Sequence, residues 1–450
     1  MLSTMRIITR IAVPILGALV PLSCTKAPVD PALERYIAEI KAVDNHAHPM
    51  LPLAPGAPAD TEFDALPLDP LPPFSVPVRL RAEHADWIAA ARALYGVQGS
   101  DTGAAYREEV KAAVARVAKE QGTKSPEWAL DRAGIEVMLA NRIALGTGLA
   151  PPRFRWVAFA DALMLPLDVR AEATRTPDTR SLYPKETVLL HRYMRDLGMA
   201  KLPASLDDYV KAVVTPTLER QKKGGAVAVK FEAAYLRALD FDDPDAESAR
   251  RVYARYAVGG VPAHGEYKTL EDYLFRTIAR EAGRLGLAVH IHVTDIAGGF
   301  YAARGSDPHL LESAFNDTTL RGTNFVIVHG GWPLVEQTMS MLAKPNVYAD
   351  ISMMDIVAEP SQVAAALRLW LGEWPEKVLF GTDAFDGGPE QRWEQGAWLA
   401  TNSARHALGL ALTGMMRDGE ITRARAESVA RMVMRENAMS LYRLTPPTPR

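Results

Sequence analysis

Two histidines that lie two residues apart are the first feature of this chain that could do chemistry. They are His46 and His48, in the stretch VDNHAHPM. Successive side chains of a strand point to opposite faces, so both imidazoles share a face with Asp44 if this stretch is extended. Two neutral imidazoles side by side suit a divalent metal ion. One of them could instead be a satisfied polar residue at a strand end and the other a solvent-exposed histidine, so a metal site needs further ligands from elsewhere in the chain.

Further metal-type side chains stand at the ends of other apolar runs. LAVHIHV offers His290 and His292 on one face, and the periodicity alone does not choose between them. His292 is favoured because it lies nearer the carboxyl end of its run, where the chemistry of parallel α/β barrels takes place. His329 closes NFVIVHG, with two glycines behind it that leave room near the site, and Asp383 closes KVLFGTD.

A lysine occupies a comparable position in another run. Lys230 ends GAVAVKFE. A strand end among apolar residues is an awkward place for an ammonium group unless that group faces a functional cavity. The lysine therefore joins the candidate site residues.

The elements that must position these side chains are eight short apolar runs, rich in β-branched residues and separated by helical patterns. Eight parallel strands with crossover helices describe a (β/α)8 TIM-type barrel, and a doubly wound open sheet is the competing architecture. The metal-type residues end the first, fourth, fifth, sixth and eighth runs, so they converge only if the sheet closes. The runs are AVDNHAH, AGIEVMLAN, FRWVAFA, GAVAVKFE, LAVHIHV, NFVIVHG, NVYADIS and KVLFGTD.

A segment of about residues 50–130 interrupts this alternation after the first strand. Residues 49–78 hold nine prolines and predict an irregular excursion. Two helical runs follow, EHADWIAAARALYG and AAYREEVKAAVARVAKEQG, which end at Gly96 and Gly122, the residue type expected just past a helix C-terminus. We therefore expect a single barrel over residues 25–450 with a Pro-rich and helical insertion.

The composition of the chain limits the classes of function that it could have. The chain has 450 residues, 48% hydrophobic and 23% charged, which is ordinary for a globular protein with a large core. Its formal net charge of −3, with no basic run, argues against a nucleic-acid partner. A small-molecule substrate is the expected partner, and nothing in the sequence predicts the oligomeric state.

The first 24 residues read as an export signal. MLSTMRIITR carries Arg6 and Arg10 and no acid, and the apolar IAVPILGALVPLS leads to Cys24, the only cysteine. This pattern resembles a bacterial lipoprotein signal, although Pro21 stands where leucine is usual. Either Cys24 is lipidated and anchors an exported protein to a membrane, or an ordinary cleaved signal releases the protein to the periplasm. One cysteine allows no disulfide within a chain.

Together the motifs resemble the amidohydrolase superfamily, specifically the amidohydrolase-related branch that includes the barrel domains of nodulin-like, glutamine-synthetase-fused proteins. The stretches that carry the resemblance are DNHAH, VKFEAAYLRALDF, HIHVTD, VHGGWPLVEQTMSMLAKPNVYADIS and FGTDAF, within residues 35–445. It implies that His46, His48, His292 and Asp383 are metal ligands.

The resemblance implies two further roles. His329 would be a ligand of a second metal or the residue that polarises the substrate. Lys230 matches a strand-four lysine that is carbamylated and bridges two metals in binuclear members, whereas related mononuclear members use one ion.

The ligand set predicts hydrolysis. A zinc-type ion generates hydroxide at neutral pH and polarises a carbonyl, and Asp383 can move the proton as general base. Tyr235 and Arg237, just past the fourth run, are candidates for binding a substrate carboxylate. The expected reaction is hydrolysis of an amide, lactone or related carbonyl compound. The alternatives are a non-oxidative decarboxylase or hydratase on the same scaffold, and a catalytically silent binding lipoprotein.

Overall fold

Eight parallel strands pair with one another in chain order, β1 to β8. Backbone hydrogen bonds close the ring: Asn45 N donates to the Phe380 carbonyl at 2.9 Å and Asp383 N to the His46 carbonyl at 2.7 Å. The predicted (β/α)8 barrel is therefore confirmed, and the open sheet is excluded. The strands are β1 Ala42–Ala47, β2 Ile135–Asn141, β3 Phe154–Phe159, β4 Ala226–Phe231, β5 Ala288–His292, β6 Phe325–Val328, β7 Val347–Asp350 and β8 Val378–Leu379.

The computed structural model describes residues 29–51, 59–67, 73–99, 103–293, 302–388 and 391–445. The predicted signal peptide and Cys24 lie outside these residues. No helix in the described ranges is both long and apolar enough to cross a membrane.

Helices surround the barrel and fill the segment after β1. Short 3₁₀ turns include Ala233–Tyr235 and His329–Gly331, and π-helical turns cover Val210–Val214 and Met432–Glu436. The α-helices are α1 Pro31–Glu39, α2 Ala85–Tyr95, α3 Ala104–Gln121, α4 Ser125–Ala133, α5 Arg170–Arg175, α6 Tyr183–Asp196, α7 Leu206–Tyr209, α8 Thr215–Lys223, α9 Ala246–Tyr256, α10 His264–Arg284, α11 Glu312–Asn316, α12 Val335–Leu342, α13 Met354–Val357, α14 Pro360–Leu371, α15 Trp393–Arg417, α16 Arg423–Arg431 and α17 Asn437–Leu441.

The helices form where the sequence repeats apolar residues at helical spacing. Along α10, Leu270, Leu274 and Ile278 recur every four residues and are fully buried, so they form the stripe that faces the barrel. In the insertion, α2 ends at Gly96 with φ 72°, a left-handed C-cap that glycine adopts without strain. The helices predicted there from the glycine positions are present as α2 and α3.

The barrel interior is apolar at one end and polar at the other. Val43, Leu139, Val157, Ala228 and Val326 belong to one buried cluster in the barrel. Further along the same strands, toward their carboxyl ends, the side chains are polar and include the candidate site residues. Parallel strands place their carboxyl ends at the same rim, so the residues that end β1, β4, β5, β6 and β8 meet there.

Strand β1 departs from strict alternation. Its pairing with β2 shifts register between Asp44 and Ala47. As a result Asn45 and His46 both reach polar partners: Asn45 Nδ2 donates to Asp350 Oδ2 at 2.6 Å, and His46 Nε2 lies 3.1 Å from Asp383 Oδ1. Irregular pairing of this kind re-aims side chains next to functional sites.

Candidate metal centre

Three donor atoms form a triangle at the carboxyl end of the barrel. His46 Nε2 lies 3.4 Å from His48 Nε2, and Asp383 Oδ1 lies 3.1 Å from the first nitrogen and 3.5 Å from the second. Tetrahedral ligands at 2.0–2.2 Å from one zinc ion are about 3.3–3.6 Å apart. The spacing therefore fits a single divalent ion, and all three residues are buried.

A second pair of imidazoles lies beside the triangle. His292 Nδ1 and His329 Nε2 face each other at 3.1 Å, and the rings of His46 and His329 are 5.1 Å apart. The other nitrogen of His292 is buried and makes no hydrogen bond to any residue that the structure describes. The structure thus places His292 against His329, and the choice of His292 over His290 as a metal ligand stays a prediction. His290 lies elsewhere, with its Nε2 2.7 Å from the Tyr442 hydroxyl.

Lys230 lies against the triangle. It is fully buried and pairs in register with His290 of β5. Its Nζ lies 3.4 Å from His46 Nε2 and 3.6 Å from Glu232 Oε1. Lys230 therefore occupies a ligand-like position next to His46, with one carboxylate at ion-pair distance.

Burial sets the charge state of the cluster. Desolvation, with the nearby Lys230 charge and the other imidazoles, lowers the pKa of His46 and His329 well below the usual value, and desolvation does the same for His292. Their rings are uncharged and can offer lone pairs. Desolvation raises the pKa of Asp383 to about 6, against the opposing effects of His48 and Lys230.

Two site residues have strained backbones. His329 has φ 66° and Asp383 has φ 51°, in the left-handed region that residues other than glycine seldom adopt. Such conformations cluster at functional sites. The glycines after His329 are tightly packed: a Cβ at Gly330 would lie 2.5 Å from Trp370, and one at Gly331 would lie 2.6 Å from Pro308. They allow close packing and do not leave the open room that the sequence suggested.

Hydrogen-bonding partners that sequence reasoning missed hold these side chains. Ser352 Oγ lies 2.9 Å from His329 Nδ1 and donates to Asp350 Oδ1 at 2.7 Å. Asp350 Oδ1 also accepts the His329 backbone N–H at 2.8 Å. Asp350 and Ser352 end the seventh run, NVYADIS, so a polar pair at a strand end was the available signal. The carboxamide of Asn141, at the end of β2, lies 2.9 Å from His46 Nδ1.

Asp64, from the Pro-rich segment, also contacts the centre. Its Oδ2 lies 3.0 Å from His48 Nδ1, the ring nitrogen on the side away from the triangle. Oδ2 lies off the direction of the Nδ1–H bond, since Nδ1 has no aligned hydrogen bond, so the contact is mainly electrostatic. No sequence motif identified this residue.

The two predicted substrate-binding residues differ. The ring of Tyr235 packs 4.2 Å from the ring of His292 and therefore borders the centre. The guanidinium of Arg237 instead lies 2.9 Å from Glu271 and 2.7 Å from Asp272, and over the ring of Phe241. Two carboxylates already neutralise it, which argues against the predicted role in binding a substrate carboxylate.

The residues present fit a divalent metal ion. Uncharged imidazoles and carboxylates are its usual protein ligands, and their donor atoms here converge at ligand spacing in a buried position. Among the residues that the structure describes, the second nitrogen of His292 has no hydrogen-bond partner, so these side chains do not form a closed network of hydrogen bonds with one another.

Several solved structures share this architecture. A protein of Lactobacillus casei ATCC 334 assigned as a metal-dependent hydrolase aligns with a TM-score of 0.57 at 15% identity, over 91% of this chain and 97% of its own. Uronate isomerase from Thermotoga maritima aligns with a TM-score of 0.56 at 14% identity, over 92% and 98%. Glucuronate isomerase from Caulobacter crescentus aligns with a TM-score of 0.61 at 13% identity, over 93% and 94%. At these identities the likeness establishes the fold.

The family is established by sequence. No match was found among curated proteins. The family model described as amidohydrolase matches residues 195–444, more than half of the chain and all of β4 to β8. The finer resemblance to the nodulin-like fusion proteins stays a prediction. The chain belongs to the amidohydrolase family, and its centre contains a group of residues that could hold a divalent metal ion.

Proposed function

We propose that this protein is a metal-dependent hydrolase that uses water to cleave an amide, a lactone or a related carbonyl compound, with a C–N bond the preferred target. The observation that carries the proposal is the triangle of His46, His48 and Asp383, in which a buried carboxylate with a raised pKa lies beside two imidazoles at metal-ligand spacing. Membership of the amidohydrolase family supports it.

The ligands are assigned by position. His46, His48 and Asp383 would hold one ion, which we propose to be Zn²⁺, and His292 and His329 would hold a second together with Lys230. When bound, such an ion supplies Lewis acidity, which activates water and polarises a carbonyl at neutral pH.

Asp383 moves the proton. Its carboxylate accepts a proton from the attacking water and donates it to the leaving nitrogen or oxygen. A carboxylate within hydrogen-bond reach of the reacting proton can serve first as general base and then as general acid, and in the metal-free protein burial raises the pKa of Asp383. The left-handed backbone at Asp383 and the hydrogen bond from its N–H to the His46 carbonyl hold the carboxylate in place.

Other residues orient the groups and exclude water. Ser352 engages His329 Nδ1, so that His329 Nε2 points toward His292 and the reaction side. His46 is fully buried, and Tyr235 packs on the ring of His292. A dry site strengthens each electrostatic interaction with the reacting group.

The export signal supports a second proposal, on location. We infer that the protein is exported in a bacterium, either anchored through a lipid on Cys24 or free in the periplasm. Mass spectrometry of the mature protein from its native host distinguishes the cases. A diacylated Cys24 at the N-terminus supports the anchor, a chain that begins after Cys24 refutes the lipid only, and an uncleaved chain refutes export.

The function is tested with a substrate panel. The Zn²⁺- or Mn²⁺-loaded protein is assayed against N-acyl amino acids, dipeptides, lactones and aromatic carboxylates, with glucuronate included because two structural neighbours are uronate isomerases. Metal-dependent release of an acid and an amine or alcohol supports the proposal. Release of carbon dioxide from a carboxylate, isomerisation of the sugar, or absence of bound metal would contradict it.

A further inference from the structure

The Pro-rich segment after β1 carries three acids at every second position. They lie in DTEFD, residues 60–64, as Asp60, Glu62 and Asp64. Residues 61–63 form a turn and a bend, so the contacts of the three acids, and not strand alternation, show how the segment docks. Each of the three acids contacts a basic or imidazole group of the barrel or its helices. The segment therefore packs on the barrel through these acidic side chains.

Two of the three contacts dock the segment. Asp60 forms a two-pronged pair with Arg142, at 2.9 Å for each oxygen, and both side chains are completely buried. Glu62 accepts two hydrogen bonds from Arg192 at 2.6 and 2.8 Å. The Asp60–Arg142 pair is a fork with two nitrogens on two oxygens, which fixes geometry as well as adding energy, whereas both oxygens of Glu62 accept from the single Nη1 of Arg192. Arg142 directly follows β2, so the segment is held against the barrel rim where β2 ends.

The third acid reaches the metal centre. Asp64 Oδ2 lies 3.0 Å from His48 Nδ1, while His48 Nε2 faces His46 and Asp383. An imidazole that binds a metal through Nε2 keeps its proton on Nδ1. A carboxylate 3.0 Å from that N–H, although not aligned with it here, attracts the N–H dipole, so it favours the ring orientation and tautomer in which Nε2 is the ligand and makes that nitrogen more basic.

We propose that Asp64, supplied by the insertion, is a positioning residue that orients His48 as a metal ligand. The inference rests on the metal-binding role proposed for His48. It gives the segment a function in this chain: two arginine pairs hold it so that its last acid completes the surroundings of a ligand on β1.

A different role for Asp64 is the competing outcome. Ligand atoms of His48, Asp64 and Glu232 all lie within 4.8 Å of one another, a spacing that would also admit a separate cation. That arrangement needs His48 Nδ1 without its proton while Nε2 serves the first triangle. The positioning role needs only the neutral ring, so it is the one we adopt.

The test measures metal binding directly. Asp64→Asn, Asp64→Ala and Asp64→Glu are compared with the wild type, and Asp131→Asn, which changes an exposed carboxylate far along the chain, is the matched control. Zinc affinity is obtained by competition with a chelator, the number of ions per chain by elemental analysis, and ligand geometry from the visible absorption spectrum of the Co²⁺ form.

For Asp64→Asn and Asp64→Ala we expect zinc affinity to fall about 10–100-fold with the number of ions unchanged, and the Co²⁺ spectrum to change. Asp64→Glu should recover part of the affinity, and Asp131→Asn should match the wild type. Unchanged affinity, or loss of one ion per chain, would overturn the inference. If Asp64→Asn does not fold, Asp64→Glu and Asp64→Ala carry the same comparison. A wild type that binds no zinc would instead refute the proposed function.

Discussion

Two buried cations near the carboxyl end of β4 have different surroundings. Lys230 ends the strand with a single carboxylate, Glu232, at 3.6 Å and an imidazole nitrogen of His46 at 3.4 Å. Arg237, seven residues later, has Glu271 at 2.9 Å and Asp272 at 2.7 Å. The sequence suggested a functional role for both, because Lys230 lies at the carboxyl end of β4 and Arg237 lies just past it.

The difference shows how to separate structural from functional polar clusters. Around Arg237 each charge has a partner, and the ring of Phe241 covers the guanidinium, so the cluster is complete without a ligand. Around Lys230 the imidazoles are uncharged, and donor atoms stand at metal-ligand spacing. A buried polar cluster whose groups lack protein partners indicates a ligand site, whereas one whose charges are all paired contributes to stability. The predictions below challenge this distinction.

Asp383→Asn should have the largest effect of these substitutions, and the effect should be a loss of turnover. Asparagine keeps the size of the side chain but cannot accept the proton, so kcat should fall by about 10²–10⁴-fold with metal present. The free energy of unfolding of the metal-free protein should stay the same or rise at neutral pH, because burial already disfavours the ionised carboxylate. Steady-state kinetics and denaturant unfolding check both. Turnover within tenfold of the wild type, with metal bound, would remove Asp383 as the base.

Arg237→Met should have the opposite profile. It keeps an apolar stem over Phe241 but leaves Glu271 and Asp272 without their buried cation, so the free energy of unfolding should fall by about 3–5 kcal/mol. Turnover per folded molecule and KM should not change. Arg170→Met, which removes an exposed pair with Asp168, is the control and should cost no more than about 1 kcal/mol. A raised KM for an acidic substrate, with stability intact, would restore the carboxylate-binding role.

The fold was predictable to a large extent. Each of the eight strand runs identified from the sequence is a strand, because short β-branched runs separated by amphipathic helices are the local signature of parallel α/β units. Closure of the ring followed only from the argument that the metal-type residues must converge. The irregular register of β1 between Asp44 and Ala47 was not predictable, since it depends on how β1 meets β2 and the end of β8.

The site was predictable where residues end strands. His46, His48, His292 and Asp383 come together because the carboxyl ends of parallel strands share one rim. Asp64 could not be found, since its approach to His48 depends on how the irregular segment docks on Arg142. The carboxylate partners of Arg237 could not be found for a related reason, since they lie on α10, more than thirty residues away in sequence.

The pH dependence of stability sharpens the comparison at Asp383. In the metal-free protein its folded pKa of about 6 lies above the unfolded value, so the folded state binds more protons between about pH 4 and 6. Stability from this group is therefore present at low pH and lost as the pH rises through 6, by up to about 3 kcal/mol. The difference in unfolding free energy between wild type and Asp383→Asn should fall over that window, since only the wild type has this titrating carboxyl group. A difference that is flat or rises with pH would contradict the raised pKa.

Lys230→Ala tests the Lys230 cluster. We expect activity or metal affinity to fall about 10–100-fold, as it does when supporting groups at metal sites are lost. We predict that Lys230 carries a carbamate that bridges two ions, because a free ammonium beside two divalent cations would be strongly repelled, whereas a carbamate offers anionic oxygens. The alternative is that Lys230 stays charged and paired with Glu232, leaving a single ion bound by His46, His48, His292 and Asp383.

Metal content and rescue decide between these states of Lys230. Two ions per wild-type chain, fewer in Lys230→Ala and partial recovery of activity with added acetate or propionate would fit the bridge. Glu232→Gln is the matched variant: it should leave the metal content unchanged if Lys230 is carbamylated, but would leave a buried ammonium without its carboxylate partner, and so destabilise the fold, if Lys230 is charged. One ion, retained in Lys230→Ala, would rule out the bridge. Lys230 would then resemble Arg237, a buried cation neutralised by protein carboxylates, and the incomplete cluster would reduce to the triangle and its two neighbouring imidazoles.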